Sequence, residues 1–302
     1  MKKFFLVVSL SISTILFSQQ TDFLKIRKYR VNYLEAKVQE TSGLSLLNGK
    51  LYTFNDSGNT PDLFELNKEN GEVARVLKTN LINTDWEALT NDGENFYIGD
   101  FGNNAGARKD LVIYKVPYGN FNQINTDKVS GSERALDGIS IPFFYPEQTD
   151  FTPKNLKTDF DAEAMIYLNG KIHLFTKEWA SKSTTHYTID PEISEKQEAK
   201  KIESFKTDFV VTDAAYFDNK LYLVGYTKKT EVFLNIFKET EPGIFLKEDP
   251  EHYYLGTALS IGQIEGVAVD ELGVYISGEK FHSPVGGAKQ SLYFIPKDKL
   301  KD

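Results

Sequence analysis

Five stretches of this 302-residue chain repeat one layout, and that repeat limits the fold more than any other feature. Each has a polar or acidic residue, a small residue, an apolar residue, a turn, then a strand carrying Tyr or Phe. They are SGLSLLNGKLYTFND (Ser42 to Asp56), EALTNDGENFYIGD (Glu87 to Asp100), EAMIYLNGKIHLFTK (Glu163 to Lys177), DAAYFDNKLYLVGY (Asp213 to Tyr226) and EGVAVDELGVYISGE (Glu265 to Glu279). Asn48-Gly49 and Asn169-Gly170 are the dipeptides that a two-residue type I′ hairpin requires, because both central residues need positive φ. Asp218-Asn219 fits the same slot, and Asn91-Asp92-Gly93 and Asp270 to Gly273 suit slightly longer turns. Asn91-Asp92-Gly93 reads as a turn and not a calcium loop, since the other ligands and helices of an EF-hand are absent.

The repeats start at residues 42, 87, 163, 213 and 265, so the intervals are 45, 76, 50 and 52 residues. Three of these match a propeller blade of four short strands. The longest interval holds extra strands at Leu111 to Val116 and Ile139 to Tyr145, and is one enlarged blade or a blade and part of another. The expectation is an all-β propeller of four-stranded antiparallel blades around a central channel, with five blades and six as the alternative. Val31 to Glu40 is expected to supply an outer strand that closes the ring with the last blade. The richness in aromatics (22 Phe, 16 Tyr, 2 Met) agrees with sheets.

With each hairpin innermost in its blade, Ser42, Glu87, Glu163, Asp213 and Glu265 begin the strands that line the channel. Counting from the turns pairs Ser42 with Asn55 and Glu163 with Thr176. Asp56, Asp100, Lys177 and Glu279 then fall just past their hairpins, at one mouth of the channel. Four carboxylates aimed at one axis repel: at ~6 Å and an effective dielectric of about 20, each pair costs about 2–3 kcal/mol. Protons relieve part of this. A hard divalent cation relieves more, and calcium takes six to eight oxygen ligands in flexible geometry. Zinc and iron fit poorly, because there is no cysteine and His173, His186, His252 and His282 show no ligand spacing. A single acid at a strand start usually caps a turn or faces solvent; recurrence at one point of successive repeats is what points to a shared site. Trp86 and Trp179 read as packing residues.

These motifs resemble the calcium-activated nucleotidase (apyrase) family. The likeness lies in GLSLLNGKLYTFNDSGN (Gly43 to Asn59), DWEAL (Asp85 to Leu89), DAEAM with LFTKEW, and IEGVAV with ISGEK. The resemblance implies five blades, a central calcium, and a Ser, Glu, Glu, Ser, Glu ring that looks like Ser42, Glu87, Glu163, Asp213 and Glu265 here. The family's Asp-Asp-Arg-Thr-Gly segment, which handles nucleotide phosphates, is Asn55-Asp56-Ser57-Gly58-Asn59 in this chain, without the arginine. The same propeller pattern is similar to the SdiA-regulated and esterase-like phytase groups.

Lys2 and Lys3 followed by an apolar run from Phe4 to Phe17 read as a signal peptide over residues 1–18, leaving 19–302 as one domain. The run is too short to span a bilayer stably. Export without cysteine suggests a bacterial periplasmic or secreted protein. The formal charge of −8 becomes −10 without Lys2 and Lys3, which argues against nucleic acid and anionic lipid as partners. Two functions remain open. One is a calcium-dependent hydrolase of phosphate esters or anhydrides, with Asp56, Asp100 or Glu279 handling water and Lys177 and Lys280 stabilising developing charge. The other is a non-catalytic propeller that binds a sugar or peptide and uses calcium structurally.

Overall fold

Each expected hairpin forms around its expected turn. Asn48 and Gly49 take φ of 52° and 74°, Asn169 and Gly170 take 51° and 76°, and Asp218 and Asn219 take 52° and 56°. These are the left-handed values that a tight hairpin needs. The computed structural model describes residues 21–119 and 136–301, so the leader expected over residues 1–18 lies outside it.

The hairpins are the inner halves of five four-stranded antiparallel blades, and the protein is a five-bladed β-propeller. Blade 1 runs Thr41–Leu47, Lys50–Asn55, Asp62–Leu66 and Val73–Lys78. Blade 2 runs Trp86–Asn91, Asn95–Asp100, Val112–Pro117 and Ile139–Phe144. Blade 3 runs Ala162–Leu168, Lys171–Thr176, Thr184–Ile189 and Lys200–Phe205. Blade 4 runs Val210–Phe217, Lys220–Tyr226, Glu231–Lys238 and Glu251–Thr257. Blade 5 has Gln263–Asp270, Gly273–Glu279 and Ser291–Pro296 from the C-terminal end, and Arg30–Tyr33 as its outer strand. The 76-residue interval is therefore one enlarged blade, and six blades are excluded.

The five apolar cores each lie between two neighbouring blades. Phe54 and Trp86 meet between blades 1 and 2, Ile113 and Leu174 between 2 and 3, and Phe175 and Leu223 between 3 and 4. Val232 and Tyr293 meet between blades 4 and 5, and Leu51 and Tyr275 between 5 and 1. The inner two strands of each blade are thereby buried along most of their length, polar residues included. Among the described residues, no helix is long and apolar enough to cross a membrane.

The register departs from the count by one residue. Asn55 pairs with Thr41 and not Ser42, and Thr176 pairs with Ala162 and not Glu163. The cause is a β-bulge near the start of every innermost strand. The pairing skips Gly43, Glu87, Glu163, Thr212 and Glu265 in blades 1 to 5. A bulge leaves one residue outside the ladder and re-aims its side chain.

The outer strand Arg30–Tyr33 pairs with Ser291–Pro296 at Arg30↔Tyr293, Asn32↔Leu292 and Tyr33↔Ser291. A chain starting at Leu34 would expose that edge and release the ring's two ends from each other. Its unfolding midpoint is expected to fall by about 10 °C or more, with self-association in size-exclusion chromatography. An unchanged melting curve would show that the interblade cores hold the ring without this strand.

Candidate functional site

The bulges bring three acids to equivalent points of blades 2, 3 and 5, and these acids line a cavity of 480 Å³ at one mouth of the channel. Glu87, Glu163 and Glu265 share it with Ser42, Asp56, Glu279 and Lys177. Asp56, Lys177 and Glu279 get there as the sequence count expects, because each follows or ends the second strand of its hairpin. Ser42 reaches the cavity from beside its bulge, and its hydroxyl donates to the Glu87 carbonyl at 3.2 Å.

Other expected residues have different tasks. Asp213 lies one residue past the bulge of blade 4, where Thr212 holds the position of the three glutamates. Its Oδ2 accepts bonds from the Val267 amide at 2.8 Å and the Leu44 amide at 3.1 Å, tying blade 4 to blades 5 and 1 across the channel. It does not line the cavity. Asp100 is buried and accepts from the Thr84 and Asp85 amides and from Arg108 Nη2 at 2.9 Å, so its oxygens are committed to the blade 2 loop. Lys280 is exposed and outside the cavity lining. Arg108 is held by Asp100 and Asp110. Among the described residues, Lys177 is the one lysine or arginine in the cavity lining.

Lys177 is also the counter-ion of the site. Its ammonium pairs with Glu163, both side chains being over 95% buried, and sits over the rings of Trp179 at 5.0 Å and Tyr226 at 5.3 Å. Burial works against its charge, but Glu163, Tyr226, Glu265 and Glu87 outweigh that and hold its pKa well above the ordinary lysine value. One ammonium cannot balance the surrounding carboxylates. Burial, then Glu163 and Asp85, push Glu87 well above the usual range. Burial, reinforced by Glu40 and Glu265, pushes Asp56 up to about 7. Burial, then Glu265 and Asp56, push Glu279 up to about 9. Glu265 is raised as well, and its Oε2 is buried without a hydrogen-bond partner.

A second layer went unread in the sequence. Asp85 and Asp161 stand two residues before Glu87 and Glu163, a D-x-E spacing that DWEAL and DAEAM both carry. Asp161 accepts from the Asn103 amide at 2.6 Å and from the Trp179 indole at 2.9 Å, and burial pushes its pKa up to about 6. Trp179 is therefore a wall of the cavity held by Asp161 and Asn104, and not packing alone; Trp86 is packing, fully buried against Phe54. Gly102 has no side chain for a local reason. A Cβ there would lie 2.3 Å from Asp85 Oδ2 and 2.6 Å from Glu87 Oε1, so two carboxylates crowd one backbone position. Asn104, Asn155, Tyr226 and Gln263 complete the polar lining.

The donors are all oxygen, which suits a hard cation. As the side chains stand, with the Lys177 ammonium among them, no three His, Asp or Glu residues among those described converge closely enough to ligate an ion. His173 and His186 bond each other and lie away from the cavity.

No family model matches the chain, and no curated protein matches it. Solved structures that match part of this chain include a provisionally assigned oxidoreductase (glucose dehydrogenase) from Thermus thermophilus, at 13% identity and a TM-score of 0.46, covering 88% of this chain and 98% of that one. The WD40 repeats of RRP9 match at 11% identity and a TM-score of 0.40, covering 85% and 67%. A provisionally assigned 6-phosphogluconolactonase from Bacteroides uniformis matches at 10% identity and a TM-score of 0.36, covering 88% and 72%.

Lys177→Met is expected to cost about 3–5 kcal/mol, because it strands Glu163 as a buried unpaired acid. The double variant with Glu163→Gln should recover most of that loss, and urea unfolding reads both. Equal loss in single and double variants would mean that the pair is not coupled. The raised acids also set a pH dependence. Asp56 and Glu279 keep protons in the folded state that the unfolded chain releases near pH 4. Their contribution is thus complete below about pH 4 and lost as pH rises through about 7 and about 9 respectively. In chelator, the urea midpoint should fall between about pH 5.5 and 9.5, and Asp56→Asn with Glu279→Gln should flatten the decline.

Proposed function

We propose that the protein binds a hard divalent cation, best matched by calcium, at the channel mouth, and uses that site to hold and hydrolyse a small phosphate ester or anhydride. The observation that carries this is charge imbalance: Asp56, Glu87, Glu163, Glu265 and Glu279 line one cavity with Lys177 as its cation. The donor set fits the ion. Glu87, Glu265 and the Ser42 hydroxyl offer oxygens, the unpartnered Glu265 Oε2 has one to spare, and Glu163 becomes available as Lys177 releases it. The fourth blade's bulge residue is Thr212, a hydroxyl like the serine of the calcium-activated nucleotidase pattern, so the resemblance is nearer through Thr212 than through Asp213.

Bound calcium would polarise a phosphoryl oxygen and make an anionic ligand tolerable among carboxylates. The chain's own groups supply the rest. Bound calcium would lower Asp56 and Glu279 from their cation-free values, so Asp56 is suited to take a proton from the attacking water and pass it to the leaving oxygen, with Glu279 positioning that water. Lys177, freed from Glu163, offers charge to the transferred group, and the Trp179 and Tyr226 rings screen that region from water. A leader over residues 1–18 would place this chemistry in the periplasm or outside the cell, where calcium is abundant.

A specific observation favours the second reading, a non-catalytic ligand-binding propeller with structural calcium. Asp100 and Arg108 are spent on each other and Lys280 is outside the cavity, leaving fewer groups for phosphate than the sequence suggests.

Calcium at ~100 times its Kd should raise stability by about 2.7 kcal/mol over the EDTA-treated protein. Glu87→Gln and Glu265→Gln should abolish that shift. Calcium-dependent release of phosphate from nucleotides, phytate or phosphosugars, lost in Asp56→Asn, would establish the hydrolase. A calcium shift without turnover would establish the binding module, and no shift with no metal in elemental analysis would remove the ion from both.

A further inference from the structure

A second cavity, of 440 Å³, opens on blade 2 and shares no lining residue with the mouth cavity. Its floor is apolar: Leu111, Phe143 and Tyr145 are buried beneath it, and Phe144 and Phe151 form part of its walls. Its rim is basic, in a protein of net charge −8. Lys109 lies over the Phe151 ring at 4.6 Å, and Lys196 over the Phe144 ring at 5.8 Å. The two lysines are brought together by a bond from Lys196 Nζ to the Lys109 carbonyl at 2.9 Å. Neither has an acidic partner among the described residues, whereas the adjacent Arg108 is neutralised by Asp100 and Asp110.

Two departures from the regular blade build this place. Gln197–Glu198 leaves blade 3 to pair, in parallel, with Phe143 and Phe144 on the outer edge of blade 2, and so carries Lys196 to the cavity rim. From the other side, Gln148 is buried and donates to the Gly106 carbonyl, which fixes the segment that bears Phe151. Two segments distant in sequence thus place unpaired ammonium groups over an aromatic floor.

We propose that this cavity is a binding site for a small amphipathic anion: an apolar or aromatic body lying against Phe144 and Phe151, with one carboxylate, sulfonate or phosphate at the Lys109 and Lys196 rim. Charge complementarity selects the anion. Both lysines line the one cavity, with the Lys196 ammonium 2.9 Å from the Lys109 carbonyl, so an acidic group entering there meets positive charge on the rim and apolar surface beneath it. Without a bound cation the mouth cavity, lined by acids, would repel the same molecule, so the titration is run in EDTA.

The probe is 8-anilinonaphthalene-1-sulfonate, titrated at pH 7 against the folded full-length protein. The expected result is one saturable site, with fluorescence enhancement that weakens as salt rises. The double variant Lys109→Glu with Lys196→Glu should weaken binding about 10-fold or more. Phe151→Ala should weaken it without altering the calcium response at the mouth, so this site and the proposed function fail separately. The neutral analogue N-phenyl-1-naphthylamine should bind far more weakly. No saturable binding, equal binding by the charge-reversed variant, or equal affinity for the neutral analogue would each overturn the proposal.

Discussion

No blade of this ring has a core of its own. Each sheet contributes one face to the core before it and one to the core after it, so every apolar cluster is completed only by a neighbour. Closure is therefore the condition on which the packing depends, and the three residue pairs between Arg30–Tyr33 and Ser291–Pro296 provide it. They join segments more than 250 residues apart, so forming them carries a large loop-closure cost. Leu34 and Val38, just after that strand, pack into the core between blades 5 and 1, so the strand is clamped by burial as well as by its ladder.

A closed ring forces its inner strands to converge, and the bulges turn that convergence into a site. Without them, Glu87, Glu163 and Glu265 would lie in the ladder and face a neighbouring blade, where a charge has no partner. With them, the acids meet at the axis, and repulsion has to be answered there. Lys177 answers part of it through an ion pair shielded by Trp179 and Tyr226. Asp213 answers a different problem lower in the channel, where amides of blades 1 and 5 would otherwise be unpaired. The same residue type thus serves as stitching at one depth and as excess charge at another.

The hairpins were legible because type I′ turns admit so few residues; the choice of five blades over six, and of one enlarged second blade, needed the strand pairing itself. The bulges were not legible, since they leave no residue signature of their own: the bulged positions are Gly43, Glu87, Glu163, Thr212 and Glu265. Counting six residues back from the turn finds Glu163 in blade 3 and would have found Thr212 in blade 4. It fails in blade 1, where the hairpin between bulge and turn is one pair shorter. The repeat pattern points to Asp213 in blade 4 because it is the acid at that place in the sequence. The second layer was readable in principle from the repeated D-x-E of Asp85-Trp86-Glu87 and Asp161-Ala162-Glu163. Tyr226 stands seven residues past its turn, as Asp56 and Lys177 do, so the count marks it; Asn155 carries no such sign, because only the fold brings its loop to the cavity.

The two cavities show why net charge is a poor guide to partners in a ring. The acids are concentrated at the axis because the innermost strands meet there, while Lys109 and Lys196 sit on the periphery of blade 2. Between them runs the segment from Gly102 to Arg108, and it touches both. Asn104 lines the mouth, Arg108 lines the side cavity, and the Arg108–Asp100 pair bonds this segment to the end of its hairpin. Gly102 lets the backbone pass close to Asp85 and Glu87, where a Cβ would clash. The acids and the unpaired lysines thus line separate cavities on either side of this segment. On the two proposals made above, that separation would let one face of the propeller take a cation while a neighbouring flank takes an anion.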